Sequence, residues 1–194
     1  MHIEPGIVDG TKIVLSYATA ATAGACAIKL AATAARERGV ASLAVRTAAT
    51  TALVFSFFEI LPHFSVGVSE VHFIFGSTLF LLFGAAPAAL GLALGLLLQG
   101  LFFVPSDLPQ YGMNVTTLLV PLFAINALSE RIIARDTAYV DLKYGQALSL
   151  SSAYQAGIVA WVAFWALYGR GFGAENLGDP VLAELGFRHF VNGL

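Results

Sequence analysis

Apolar residues along this chain gather into six blocks bounded by polar or turn-forming residues; they do not alternate with period two as in a half-buried strand. The blocks, roughly 18 to 25 residues, are each about the length that crosses ~30 Å of hydrocarbon as a helix. The pattern predicts helices over about 11–35, 43–61, 71–84, 87–104, 113–134 and 147–168, followed by a polar or amphipathic tail over 169–194. The first block is rich in Ala, Gly and Thr, which suits close helix approach where lipid supplies no hydrophobic drive. The third, VHFIFGSTLFLLFG, is short and runs into GAAP, where Pro87 fits the first turn of the fourth helix and closes a hairpin. A Pro/Gly-bounded stretch, VPSDLPQYG, leads to the fifth. The expected fold is an all-α integral membrane protein, a six-transmembrane-helix bundle forming a single polytopic membrane domain over residues 1–194.

Composition agrees with that class. Hydrophobic residues make up 58% of the 194, charged residues 11%, and mean hydropathy is +0.79, against about a quarter charged in an ordinary soluble domain. A net charge of −2 with few, clustered basic residues argues against a nucleic-acid partner and for a lipid bilayer. Cys26 is the single cysteine, so no internal disulfide can form, and its Ala/Thr/Gly surroundings mark it as a small packing residue. The opening MHIEPGIVDG carries acids and a proline where a signal peptide would carry a basic region, so a retained N-terminus is expected.

The placement of basic residues gives an orientation, because Lys and Arg collect where they need not be translocated. Arg36, Arg38, Arg46, Arg131, Arg135 and Lys143 fall on one face; Lys12, Arg170 and Arg188 fall on the other, and Lys29 can snorkel toward the first. The basic side is expected to be cytoplasmic, and with six crossings both termini face outward from the plasma (inner) membrane. His2, His63, His72 and His189 then all fall on the outer side.

A histidine at position 2 offers chemistry that an internal one lacks. The α-amino nitrogen of Met1, the backbone amide nitrogen of His2 and its imidazole can close two fused chelate rings. A fourth nitrogen from a distant ring completes a near-planar set, the geometry of Ni(II) or Cu(II), and imidazole-rich sites also suit Co(II) or Zn(II). His72 is the candidate for that ring: it is expected to begin the third helix, and Gly67 and Ser69 before it permit a re-entrant or tight loop. Binding requires an unprotonated amine and an ionised amide, so it is expected to weaken as pH falls. Each histidine also has a plainer reading: an exposed terminus for His2, an interfacial ring bonded to a carbonyl for His72, a membrane-interface residue beside Pro62 and Phe64 for His63, and part of an amphipathic turn for His189.

Polar groups inside membrane helices normally face the bundle interior, since burial in lipid is costly. Glu59 near the outer end of the second helix, Gln99 in the fourth and Asn114 at the start of the fifth are expected to face one outer cavity. Their alternatives are an interfacial acid, a cross-helix hydrogen bond and a helix cap, respectively. Glu70 reads as a first-turn acid favourable to the dipole of the third helix.

Taken together, these motifs resemble the membrane-embedded substrate-binding component of cobalt and nickel energy-coupling factor transporters, the CbiM/NikM group. Its members open with Met-His and a nearby Gly, here Met1, His2 and Gly6. A G-x-S/T-x-x-H loop matches Gly67, Ser69 and His72; a Gln in a Leu-rich helix matches LLLQGLFF with Gln99; a G-x-N motif with a following Pro matches Gly112, Asn114 and Pro121. The likeness covers roughly residues 1–123. It implies a cobalt or nickel ion held by the amine of Met1, the amide and ring of His2 and the ring of His72, with Asn114 in support, the N-terminal segment being folded into the outer end of the bundle. His63, Glu59 and Gln99 complete the candidate surroundings. It also implies partners: a coupling transmembrane protein and cytoplasmic ATPase subunits.

This chain departs from the group at Glu4-Pro5, at Pro105 and Pro109, and at Glu59, where Gln is common; members often carry a further C-terminal helix. The sequence has no GxxxxGK[ST] motif, so ATP hydrolysis is expected to belong to the partners, and the chain is expected not to be an enzyme. The expected function is capture of Co(II) or Ni(II) for ATP-driven uptake. The alternatives are a structural or accessory subunit of a larger membrane complex that has the fold without transport, and a channel-like or sensory metal binder.

Overall fold

Two single glycines, Gly39 and Gly84, set the geometry of the helical core. The computed structural model describes residues 2–3, 6–61, 64–66, 69–71, 74–134, 137 and 139–171. Among these are six α-helices: α1 (Ile13–Arg38), α2 (Val40–Glu59), α3 (Gly76–Phe83), α4 (Ala85–Phe102), α5 (Tyr111–Ile132) and α6 (Tyr144–Arg170). Gly39 closes α1 by donating its N–H to Ala35 and opens α2 by accepting from Leu43; Gly84 does the same between Phe80 of α3 and Ala88 of α4. Their φ values of +85° and +90° are what allow one residue to end one helix and start the next. The membrane-like stretches thus become two tight antiparallel hairpins.

The two hairpins lock together through α2 and α4. Thr50 is buried on α2 and donates its hydroxyl to the Pro87 carbonyl at 2.7 Å. That approach is possible because Gly91 and Gly95 on α4 have no side chain: a Cβ at Gly91 would collide with Thr50, and one at Gly95 would lie 2.6 Å from Val54 Cγ1. Such close contact with an interhelical hydrogen bond is what holds helices in a solvent as apolar as their side chains, each bond contributing about 0.6 kcal/mol on average. At the same end, Arg46 donates from Nη1 to the Phe83 carbonyl at 3.0 Å, satisfying the frayed end of α3.

α4 and α5 are the most enclosed helices, and α1, α2 and α6 lie around them with most of their surface outward. The core joins Leu92 and Leu96 of α4, Leu118, Leu122 and Ile125 of α5, and Leu150, Tyr154, Ile158 and Trp165 of α6. Gln146 bridges α5 to α6: its Oε1 accepts from the Lys143 backbone at 2.9 Å, and its Nε2 donates to Ile132 O at 2.6 Å. Val14, Ile28, Val40, Val45, Leu82, Leu101 and Phe102 are large, apolar and exposed, which suits hydrocarbon and would be costly in water.

Among the described residues, five helices are long and apolar enough to cross a membrane, the third of the expected six being the exception. α3 has 8 residues, about 12 Å at 1.5 Å per residue. The expected helix over 71–84 starts only at Gly76 because the chain before it is extended: Ser69–Val71 is a strand, and backbone groups paired in a ladder cannot join a helical turn. Glu70 therefore lies in a strand and not in a helix's first turn. α5 begins at Tyr111, with Gln110 at its N-cap, so Asn114 is inside the helix and does not cap it. The stretch before it is itself helical, a 3₁₀ segment over Pro105–Gln110. Of the tail at 169–194, the part over 172–194, with His189, lies outside the described residues.

Candidate metal centre

His2–Ile3 (β1) pairs antiparallel with Ser69–Val71 (β3), which pairs in turn with Phe64–Val66 (β2), giving a three-stranded sheet of order β1-β3-β2. The register sets His2 opposite Glu70 and Ile3 opposite Ser69. Because the pair is antiparallel, the beginning of β1 and the end of β3 lie at the same end of the ladder, and His72 follows β3 directly in sequence. In the hairpin of β2 and β3, Val66 faces Ser69.

Further contacts fix the residues that follow β1. Val8 is 1% exposed. A Cβ at Gly169 of α6 would collide with the Ile7 carbonyl, so the chain runs directly over that glycine. Lys12 donates from Nζ to Gly169 O at 2.8 Å and sits 6.0 Å from the centre of the Tyr168 ring. On the neighbouring helix, Gly112 of α5 would bring a Cβ to 2.9 Å from the Ser16 carbonyl of α1. Ile7 and Lys12 thus lie beside the end of α6, and β1 touches α5 and α6.

The sequence-predicted residues distribute as follows. Glu59 is the last residue of α2 and half-buried, Gln99 is buried near the end of α4, and Asn114 is 1% exposed near the start of α5. All three occupy the end of the bundle where β1 packs. Met1, His63 and His72, with the side chain of His2, lie outside the described residues. Among the described residues no group of three or more His, Cys, Asp or Glu side chains comes together. A cleft of about 640 Å³ between α2 and α4 is lined by residues such as Leu43, Ala48, Phe55 and Leu94; its apolar walls suit lipid, not an ion.

Some residues that the sequence left unremarked belong to this end or support it. Gln110, one turn before Asn114, is 4% exposed, and among the described residues its Oε1 accepts no hydrogen bond. On α6, Ser151, Tyr154 and Gln155 meet the start of α3: Ser151 Oγ lies 3.1 Å from Ser77 Oγ, the Tyr154 ring covers Gly76, and Gln155 Nε2 donates to Ile74 O at 3.2 Å. Their spacing of three and four residues places them on one helix face, a signal visible in the sequence, although nothing there names the partner helix. Similarly, FSV-GV-SEV shows a short hairpin's β-branched residues around a glycine, a signal concealed by the apolar run that follows it.

The family model for the cobalt uptake substrate-specific transmembrane region matches residues 2–183. That extends well past residue 123, where the motif likeness ended, and takes in α5, α6 and part of the tail. No curated protein and no solved structure gives a significant match to the chain.

Proposed function

The chain belongs to the cobalt uptake substrate-specific transmembrane family, CbiM, and from that membership we propose that it captures one Co(II) or Ni(II) ion at the N-terminal end of the bundle. The amine of Met1, the amide nitrogen and ring of His2 and the ring of His72 supply four nitrogens, with Asn114 in support. His63, Glu59 and Gln99 belong to the wider surroundings of the same end. A membrane component of a cobalt-uptake system is a transport protein and not an enzyme family. The observation that carries the ligand set is the pairing of His2 with Glu70, since it brings the first residues of the chain to the strand that His72 follows.

In this reading, the extended chain from β3 and the short α3 together make a sixth pass, so that both termini face outward across the plasma membrane and the whole chain is one polytopic domain. Arg36, Arg38, Arg46 and Arg131, near the other helix ends, face the cytoplasm. ATP-driven uptake then requires a coupling transmembrane protein and cytoplasmic ATPases. α1 offers a surface for such a partner: Ala18, Ala21, Thr22, Ala25 and Cys26 are small, exposed and unused within the bundle, which permits close approach by another helix.

The test is a Co(II) and Ni(II) titration of purified protein with its native terminus, beside the same protein carrying one extra residue before Met1. Stoichiometric binding by the first and none by the second is expected. Equal binding by both overturns the ligand set, because an added residue moves the amine out of the chelate ring.

A further inference from the structure

The backbone that leads from His72 into α3 is held from one side by α6, and the most telling contact is the most exposed one. Ile74 is buried and precedes the first turn of α3, so its carbonyl lies outside the helical ladder. Gln155 Nε2 reaches it at 3.2 Å. Gln155 itself is on the outward flank of α6, exposed, among apolar residues such as Ile158 and Val159 in a helix of 27 residues. An amide facing hydrocarbon is unfavourable there, and an apolar side chain of the same length would suit the position better for stability alone.

The neighbouring contacts share the same target. Tyr154 packs where Gly76 has no side chain, and the Ser151 and Ser77 hydroxyls meet at 3.1 Å. Three side chains of one α6 face thus hold positions 74, 76 and 77, just beyond His72. Consecutive Cα atoms are about 3.8 Å apart, so position 72 is joined to Ile74 by no more than about 7.6 Å of chain.

We propose that Gln155 is a positioning residue for the His72 ring: by holding the Ile74 carbonyl it sets where the fourth metal ligand can stand. This rests on His72 being a ligand, as proposed above. Gln155 touches no ion and acts only through the backbone.

The experiment uses the full chain with its native terminus in detergent or nanodiscs, titrated with Co(II) alone and followed by calorimetry and by visible ligand-field absorption. For Gln155→Met, which keeps the length but cannot donate, affinity is expected to fall by about threefold to tenfold, the range one net hydrogen bond spans. The absorption bands should shift because the ligand geometry changes, and the thermal midpoint should hold or rise. Ala156→Met, one residue on along the exposed flank, should leave all three readings unchanged. A Gln155→Met protein with parental affinity and spectrum overturns the proposal, and so does weaker binding with an unshifted spectrum and a lowered midpoint. His72→Ala separates the two levels. If it binds Co(II) like the parent, the ligand set falls and this inference with it; if it abolishes binding while Gln155→Met is silent, only this inference falls.

Discussion

His2 and Glu70 face each other across an antiparallel ladder, although the whole of α1 and α2 lies between them in the chain. Strand side chains alternate faces, so a shift of one residue turns every side chain to the opposite side. Inserting one alanine between His2 and Ile3 should therefore break either the β1–β3 register or the reach of the His2 ring. Metal affinity is expected to fall by at least about 100-fold, beyond the 10–100-fold that loss of a ligand's supporting partner costs, with helix content unchanged by circular dichroism. Calorimetry with Co(II) checks it, and binding within threefold of the parent refutes it.

Thr50 and Gly91 make a second test, of the α2–α4 packing. Gly91→Ala forces a methyl into Thr50 and should destabilise the bundle by about 1–3 kcal/mol. Thr50→Ala alone loses the bond to Pro87 and should cost about 1 kcal/mol. In the double variant the contact with Oγ1 is removed, while the Cβ of residue 50 still lies 2.5 Å from the added methyl, so part of the clash is relieved and the combined cost should be smaller than the sum. Thermal or denaturant unfolding in a fixed detergent reads all three; strict additivity would mean that the two residues do not touch.

Gly84 and Gly24 should respond oppositely to the same change. Gly84 has φ +90° between α3 and α4, so Gly84→Ala is expected to cost about 1–2 kcal/mol. Gly24 lies inside α1, and an added Cβ would have nothing within 4 Å; Gly24→Ala should gain up to about 1 kcal/mol from helix propensity. Unfolding midpoints of the two variants decide the matter, and a Gly84→Ala protein as stable as the parent would refute the one-residue hinge.

The exposed face of α1 predicts a separation of binding from assembly. Ala25→Leu adds bulk on a surface that is exposed among the described residues, so Co(II) affinity should stay within about twofold of the parent, less than the tenfold worth 1.4 kcal/mol. Co-purification with a coupling partner and ATPases, and cobalt uptake by cells, should fall at least tenfold if this face carries the docking helix. Full uptake by Ala25→Leu would move the docking surface elsewhere.

The apolar blocks made the membrane class and the long helices legible without a structure, because a residue's transfer into hydrocarbon is a local property that sums along the chain. The Met-His, His72 and Asn114 pattern pointed to the family that the family model then matched over residues 2–183. What local properties could not reveal was pairing. Phe64–Val66 and Ser69–Val71 are three residues each, too short to announce themselves beside a longer apolar run, and they are strands only because a third strand from the far N-terminus and the hairpin itself complete their hydrogen bonds. That pairing delayed α3 to Gly76 and shortened the expected third helix. Likewise, nothing about Gln155 or Tyr154 taken alone says that they meet Ile74 and Gly76. The sequence by itself determined the membrane class and the apolar segments that form the long helices; only the tertiary structure decided which distant backbone the strand His2–Ile3 pairs with, because hydrogen-bond partners across a fold are chosen by geometry that no single segment contains.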